Sequence, residues 1–234
     1  KWHFLYTKMD DKHNEKSEPR NPDPPRAKTV DPINTISGAM EYEKTDIALS
    51  SPGIPLVFSR SSTSRSAYTN GCLGPRWIHS YDWNISETTD VSNIEGYTVT
   101  SHWAMVRTGS GAQYTLTQTA TNEWRGNRGN NWEVAKTNNE YRLYLPGRTL
   151  YTFDTNGTLT GISDLWGNTV ALTYSSGKLT QVAHSNGRDL TLNYTGSQLT
   201  SVTTPSTNFQ TAYSYGPQGD LTNAARTTSS GTAS

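Results

Sequence analysis

Apolar and polar residues alternate along much of the chain, which is typical of β-strands with one buried face. The runs "IPLVFSR" (54–60), "GYTVTSHWAMVRT" (96–108) and "EYRLYL" (140–145) show this alternation most clearly. Gly, Asn and Pro residues lie between such runs, and this spacing predicts antiparallel hairpins. A further alternating set is aromatic: Trp77, His79, Tyr81 and Trp83. We expect these four rings to share one face of a single strand.

The last third of the chain repeats one pattern four times, with a period near 20 residues. Each copy has an aromatic residue, then a turn, then a Leu-Thr pair. The aromatic residues are Phe153, Tyr174, Tyr194 and Tyr215. The leucines are Leu159, Leu179, Leu199 and Leu221. Hairpins with this period bury their apolar faces by stacking on neighbouring copies, so Leu179, Val182, Leu199 and Val202 should lie on one buried face.

The composition favours the same fold. Thr, Ser, Asn and Gly are abundant, and 13 Tyr and 7 Trp supply most of the bulk. These residues suit a pleated, half-buried surface, whereas the strong helix formers are comparatively scarce. We therefore predict an all-β protein whose antiparallel hairpin repeats form a curved or spiralling sheet.

Charge and hydropathy exclude several partners. Lys plus Arg number 20, as do Asp plus Glu, so no net charge attracts nucleic acid. No run approaches the roughly 20 apolar residues that span a bilayer. Cys72 is the only cysteine, which excludes an intrachain disulfide and a cysteine metal cluster. We expect neither a nucleic-acid partner nor a membrane span.

The amino-terminal segment differs from the rest, because several prolines follow an aromatic start. Such a segment favours an extended arm or linker. Its aromatic residues are candidates for docking on a partner or on the chain's own sheet: Trp2, Phe4 and Tyr6. The predicted segments are an arm (1–30), an introductory β-domain (31–150), hairpin repeats (151–224) and a Ser/Thr-rich tail (225–234).

Residues 31–83 and 151–224 resemble the Rhs/YD-repeat family. The first stretch contains "DPINTISG", "TDIALSSPGIPLVFSR" and "LGPRWIHSY", and the second has the family's short Tyr-containing strand, Gly turn and Leu. The resemblance implies a β-sheet that spirals into a large hollow shell. In bacterial Rhs proteins and Tc-toxin C components that shell encloses a toxic C-terminal domain, and in teneurins a related shell serves adhesion. Here it implies the opening portion of a shell, or a short stand-alone relative, in a secreted or cell-surface bacterial protein.

Patterns for catalysis or metal binding are weak. His79 and His102 would hold a metal only if the fold brought them together. The stretch "DTNG" (154–157) matches half of a calcium loop, but a hairpin with a type I′ turn is the better interpretation. Glu41 and Glu43 alternate, which favours the solvated face of a strand over a glycosidase acid pair. We expect no enzymatic activity, no cofactor and no metal.

The aromatic surplus leaves two functions open. We expect three tryptophans to pack in the core rather than bind a ligand: Trp77, Trp83 and Trp166. Three others are candidates for contact with sugars: Trp103, Trp124 and Trp132. The leading expectation is a non-enzymatic structural or shell module with a possible toxin cargo. The alternative is a carbohydrate- or cell-surface-binding module.

The end of the repeat array predicts an open sheet edge, around residues 213–221. Its backbone N–H and C=O groups would form a template for another strand. Pro217, Asp220 and Arg226 protect it only lightly. We expect this edge to be completed by further repeats, by another subunit or by the amino-terminal arm.

Overall fold

The computed structural model describes residues 40–63, 71–94, 97–126, 130–205 and 208–228. The strands are β1 (Glu41–Leu49), β2 (Leu56–Thr63), β3 (Trp77–His79), β4 (Asn84–Ile94), β5 (Tyr97–Arg107), β6 (Gln113–Ala120), β7 (Glu123–Gly126), β8 (Glu133–Lys136), β9 (Tyr141–Tyr144), β10 (Leu150–Phe153), β11 (Leu159–Ser163), β12 (Thr169–Ser175), β13 (Lys178–His184), β14 (Asp189–Thr195), β15 (Gln198–Thr204), β16 (Phe209–Tyr215) and β17 (Leu221–Thr228). These ranges contain no helix, so the predicted all-β fold is confirmed. The arm (1–30), with Trp2, Phe4 and Tyr6, lies outside the described residues.

The strands form two antiparallel sheets. The small sheet has the order β1-β2-β3, and the large sheet has fourteen strands in sequence order from β4 to β17. Each strand of the large sheet therefore pairs only with the strands next to it in the chain. The large sheet is open, with β4 at one edge and β17 at the other.

The large sheet curls back on itself. The N–H of Ile85, at the start of β4, donates to the carbonyl oxygen of Gly157 at 3.0 Å, and Nδ2 of Asn84 donates to the same oxygen at 2.9 Å. Gly157 lies in the turn after β10, six strands from β4 in the sheet order. Any Cβ at position 157 would lie 1.8 Å from the Ile85 oxygen, so only glycine permits this approach. The curved sheet that the repeats predict is confirmed.

The small sheet packs on the face of the large sheet that carries the repeat leucines, called here the inner face. The ring centroids of Phe58 (β2) and Tyr213 (β16) are 6.4 Å apart. Tyr213 donates to the carboxylate of Asp46 in β1 at 2.8 Å. Ile47 and Phe58 are at most 1% exposed and belong to the same hydrophobic core as Leu199. The core therefore lies between the two sheets.

The predicted single strand with four aromatic rings is wrong. Strand β3 ends at His79, and the N–H of Asp82 donates to the His79 carbonyl to close a turn. The Ser80 hydroxyl donates to the carbonyl oxygen of Val57 at 2.7 Å, which holds the chain as it turns away from the small sheet. After this turn Trp83 packs against Tyr151 of the large sheet, with 4.5 Å between ring centroids. The aromatic residues thus connect the two sheets instead of lining one strand.

The last strand also differs from the prediction. Residues 216–220 form a hairpin turn in which the N–H of Gly216 donates to the carbonyl of Asp220 at 2.9 Å, and Gly219 has φ +80°. The open edge is therefore β17 (Leu221–Thr228) and not residues 213–221. Strand β17 includes residues 225–228, where the sequence predicts a tail. The Gly-Pro sequence at 216–217 belongs to a tight turn inside the array.

Candidate functional site

A β-bulge recurs at the threonine of every copy. In the first copy Phe153 pairs with Leu159 but Thr152 pairs with Gly161, so that Thr160 is an extra residue in its strand. The same shift occurs in the other three copies. Each threonine hydroxyl donates to a carbonyl of the facing strand: Thr160 to Thr152 (3.1 Å), Thr180 to Thr173 (3.1 Å), Thr200 to Asn193 (3.0 Å) and Thr222 to Ser214 (3.0 Å). The hydroxyl satisfies a backbone group where the ladder is disrupted.

The bulge explains the spacing of the apolar residues. Residues three apart in a regular strand point to opposite faces. The extra threonine shifts the alternation by one, so Leu199 and Val202 both point inward and both are 0% exposed. Leu179 and Val182 are 4% and 0% exposed. The predicted common buried face is confirmed.

A tyrosine joins each copy to the one before it. The hydroxyls donate to the carbonyl oxygens of the preceding repeat leucines: Tyr174 to Leu159 (2.8 Å), Tyr194 to Leu179 (2.8 Å) and Tyr215 to Leu199 (2.6 Å). We call each of these contacts a repeat junction. Phe153 heads the first copy and has no hydroxyl to donate. The recurring aromatic position is therefore a hydrogen-bond donor wherever a preceding copy offers a leucine carbonyl.

Burial keeps the junction tyrosines protonated. It raises the pKa of Tyr174, Tyr194 and Tyr215 well above the ordinary value for a phenol. A protonated hydroxyl is required, because a phenolate has no proton to donate to a carbonyl oxygen.

The loop of residues 71–77, with the sequence "GCLGPRW", seals the junction of the last two copies. The N–H of Leu199 donates to the carbonyl oxygen of Cys72 at 2.8 Å, and the Tyr215 hydroxyl also lies 3.2 Å from that oxygen. Leu73 is 0% exposed. A Cβ at Gly74 would lie 2.5 Å from the Gly219 carbonyl oxygen. Burial, assisted by the charge of Asp82, raises the pKa of the Cys72 thiol to about 12, so this cysteine stays neutral.

A buried ion pair joins the small sheet to the repeats. Nε of Arg60 lies 2.8 Å from Oδ2 of Asp46, and the two side chains are 11% and 4% exposed. The hydroxyl of Tyr213 donates to the same carboxylate oxygen. Burial, followed by the negative charge of Asp46, raises the pKa of Tyr213. The carboxylate of Asp46 balances the positive charge of Arg60. The guanidinium carbon of Arg60 lies 5.1 Å from the centre of the Trp77 ring.

A groove lies between the small sheet and β17, with a volume of about 530 Å³. We call it the edge groove. Its floor comes from the small sheet, where Tyr42 packs edge-on against Trp77 with ring centroids 5.6 Å apart. Its side comes from residues 221–224 of β17. Tyr42 is 42% exposed and Met40, which also lines the groove, is 51% exposed. Together with the repeat junctions, this groove forms the candidate functional site.

The two histidines considered for a metal are not brought together. His79 is buried in the small sheet and stacks on Phe58, with ring centroids 5.3 Å apart. His102 lies in β5 of the large sheet, is exposed, and has Nδ1 3.0 Å from the Thr89 hydroxyl. Within the described ranges no group of three or more His, Cys, Asp or Glu residues has a metal-binding arrangement.

The aspartate considered for a calcium loop, Asp154, stabilises its own turn. Oδ1 of Asp154 accepts the N–H groups of Asn156 (2.9 Å) and Thr158 (2.8 Å). The predicted type I′ turn is wrong here, because it needs positive φ at both central residues, Asn156 and Gly157, and Asn156 does not have it. Instead Gly157, with φ +79°, closes the turn.

The two glutamates considered for a glycosidase acid pair lie on a solvated strand face. Glu41 and Glu43 are both exposed on β1, as the alternation predicts.

Two tryptophan predictions are wrong. Trp166 was expected in the core, yet it is 79% exposed. Asp164 accepts the N–H groups of Trp166 and Asn168, and this tight turn projects the ring outward. Trp124 was a candidate for sugar contact, yet it is 1% exposed on the inner face.

The other tryptophans within the described ranges are half-buried. Trp132 packs on Tyr114, with 4.3 Å between ring centroids, and Trp103 lies in β5. Trp77 and Trp83 pack against the core, as expected.

The fold and its repeat junctions define an open, repeat-built all-β protein. Residues 30–114 match the model of a family described as a domain of unknown function, DUF6531. The match runs through β1–β5 and ends at the second residue of β6, before the repeats begin. No curated protein matches the chain. Among the described residues there is no helix long and apolar enough to cross a membrane.

Proposed function

We propose that the chain is a non-enzymatic structural module of a secreted or surface-delivered bacterial protein of the Rhs/YD-repeat kind, and that it forms part of an encapsulating or assembly wall. The observation that carries this proposal is the repeat junction. The same tyrosine-to-leucine bond recurs three times with distances of 2.6–2.8 Å. A bond between neighbouring copies lets a sheet grow by addition of hairpins without any change in local geometry.

The curl of the large sheet supports a wall rather than a flat surface. Strand β4 returns to the turn after β10 through the bonds of Asn84 and Ile85 to Gly157. Glu87 of β4 also binds Lys136 and Tyr141 of the facing strands. Curvature of this kind gives the sheet an enclosed side, where a cargo such as a toxic domain would lie.

Electron microscopy of the protein purified from its source tests this proposal. We expect hollow particles or extended walls in which this fold is a repeating or terminal part. A cargo domain, where present, should resist added protease until the wall is disrupted. Isolated monomers without any enclosed space would contradict the wall function.

A second candidate function is adhesion to carbohydrate or another cell-surface molecule. The observation that favours it is Trp166, which is 79% exposed on a turn held rigidly by Asp164. An exposed aromatic ring on a rigid support suits stacking on a sugar. Glycan-array binding that is lost in Trp166→Ala, and kept in Trp103→Ala, would support adhesion. Absence of binding across the array would count strongly against it.

A further inference from the structure

The last copy of the repeat lacks the cover that the earlier copies have. Leu159, Leu179 and Leu199 are at most 4% exposed, whereas Leu221 is half-buried on β17. The carbonyl oxygens of the three earlier leucines each accept a tyrosine hydroxyl, and among the described residues no hydroxyl reaches the Leu221 carbonyl. β17 pairs with β16 and forms an edge of the large sheet. One more strand that carries a tyrosine would complete this copy.

The strands that make repeat junctions share a sequence pattern, called here the junction pattern. Apolar residues stand four and two positions before the tyrosine, and Ser or Thr follows it. The pattern is complete in β12, Val-x-Leu-x-Tyr-Ser (170–175), and in β14, Leu-x-Leu-x-Tyr-Thr (190–195). In β16 it is varied to Thr-x-Tyr-x-Tyr-Gly (211–216). Each of these three strands is paired on both sides, so none of them is free to cover β17.

The arm carries the complete junction pattern as well. Residues 2–7 read Trp-x-Phe-x-Tyr-Thr, with the tyrosine at Tyr6. Apolar residues at both positions precede Tyr6, Tyr174 and Tyr194, and they precede no other of the 13 tyrosines. The sequence therefore identifies residues 1–7 as a strand suited to a repeat junction.

The described part of the chain begins beside the open edge. Met40 is its first residue, and it lines the edge groove together with residues 221–224 of β17. Residues 8–39 connect the arm strand to this point, and a chain of that length spans up to about 100 Å when extended. A tethered segment meets its site at a high effective concentration. This tether favours the chain's own arm over a second copy or another polypeptide.

The sizes of the facing side chains also match. In the register of β14 on β13, Leu190 pairs with Val182. The equivalent pair would join Trp2 to Ala224, so that a larger residue of the arm meets a smaller residue of β17. The earlier copies have branched residues at the position of Ala224: Ile162, Val182 and Val202. Ala224 lines the edge groove, whose volume of about 530 Å³ leaves room for aromatic rings.

We propose that residues 1–7 add to β17 as an antiparallel strand and close the open edge within the same molecule. The Tyr6 hydroxyl donates to the Leu221 carbonyl oxygen, and Trp2 and Phe4 cover the aromatic floor of the edge groove. In strand addition the backbone bonds give affinity and the side-chain pockets give specificity. The arm thereby makes β17 the end of a wall. The inference rests on the proposed wall function for this role, while the contact itself takes the repeat junction as its template.

Disulfide formation in residues 1–234 tests the register. His3 would pair with Asn223, next to the pair of Trp2 and Ala224, and paired strand positions have the Cα separation that a disulfide needs. His3→Cys combined with Asn223→Cys should form an intramolecular disulfide under mild oxidation. His13→Cys combined with Asn223→Cys keeps the tether but places the thiol outside the strand. This control pair should react at least about tenfold more slowly.

The natural cysteine does not interfere, because burial keeps the Cys72 thiol neutral. A disulfide that links only two molecules would assign the edge to a second copy and overturn the proposal. Equal rates for the two cysteine pairs, or no disulfide in either, would also overturn it.

Hydrogen exchange of the β17 amides tests the tyrosine in the same chain. Tyr6→Phe should raise their exchange rate about fivefold, since one hydrogen bond of the added strand is lost. Leu5→Ala is the matched control, because Leu5 would point outward, and it should leave the rate unchanged. Unchanged exchange in Tyr6→Phe, as expected if further hairpins of a longer natural polypeptide or another chain cover β17, would overturn the proposal.

The proposed wall function and the arm strand can fail separately. Walls seen by microscopy without the His3–Asn223 disulfide would remove the arm strand alone. The disulfide without any wall would support the arm strand and remove the wall function alone.

Discussion

The hydroxyl of Tyr194 donates a 2.8 Å hydrogen bond to the carbonyl oxygen of Leu179, one copy earlier in the array. Leu179 pairs with Tyr174 at the start of the Leu-Thr strand that contains the bulge, so this bond bridges neighbouring strands close to the bulge. The equivalent bonds of Tyr174 and Tyr215 make it a property of the repeat and not of one site. The stability of the array should depend on these hydroxyls.

Replacement of Tyr194 by phenylalanine tests the junction. The ring remains, and the Leu179 carbonyl loses its partner in a half-buried position. We expect the free energy of unfolding to fall by about 1–2 kcal/mol, as for an unsatisfied buried acceptor. Urea denaturation followed by fluorescence measures this change. Tyr97→Phe is the matched control, because Tyr97 is 76% exposed, and its effect should be near zero.

Truncation of Leu199 tests the register. Leu199 is 0% exposed, and Leu199→Ala should lower the free energy of unfolding by about 2–5 kcal/mol through a core cavity. Gln198 is only partly buried at the neighbouring position, so Gln198→Ala should cost less than about 0.5 kcal/mol. Similar losses in the two variants would mean that the assigned inner face is wrong.

Replacement of Thr200 by valine tests the bulge. The side chain keeps its shape but no longer donates to the carbonyl of Asn193. We expect a loss of about 1 kcal/mol, the usual contribution of one hydrogen bond. Thr100→Val provides the comparison, since Thr100 is exposed and lies at a regular position of β5, where it pairs with Val91. If both variants unfold at the same urea concentration as the parent, the threonine hydroxyl does not support the bulge.

Acidification should weaken the packing around His79. Burial lowers the pKa of His79 in the folded protein below its ordinary value of 6.5, so the unfolded chain takes up a proton first as the pH falls. The contribution of neutral His79 is therefore present above about pH 6.5 and is lost as the pH falls through the lowered pKa of the folded state.

Denaturation at about pH 7.5 and about pH 5.5 measures this dependence. His79→Gln should show a smaller loss on acidification than the parent protein. His102→Gln should behave like the parent, because His102 is exposed on β5. A parent-like pH dependence in His79→Gln would assign the effect to other groups.

The repeat explains why so much of the fold could be predicted from sequence. The alternation of apolar and polar residues predicted the strands. The spacing between Leu199 and Val202 recurs in the array, and this recurrence identified the buried face. The reason for that spacing could not be predicted, because the bulge depends on how Thr200 pairs across the hairpin. The repeat junction could not be predicted either, because it depends on the strand geometry next to the bulge. The recurrence of tyrosine at one position of the repeat was the sequence signal that could have indicated it.

The edge groove could not be predicted from local patterns. It depends on contacts such as that between Asp46 and Tyr213, which are 167 residues apart in the chain. The exposure of Trp166 has a similar cause, since the side chain of Asp164 shapes the turn that projects the ring. Aromatic content alone does not distinguish a core ring from an exposed one.

Hydrogen exchange of residues 221–228 tests most directly the claim that this chain is a wall module completed at β17. The chain of residues 1–234 and its variant with Trp2, Phe4 and Tyr6 replaced by alanine should be compared under the same conditions. The account predicts strong protection of the outward amides of β17 in the parent chain and fast exchange in the variant. Equally fast exchange in both would mean that β17 stays bare, and this would contradict the central claim.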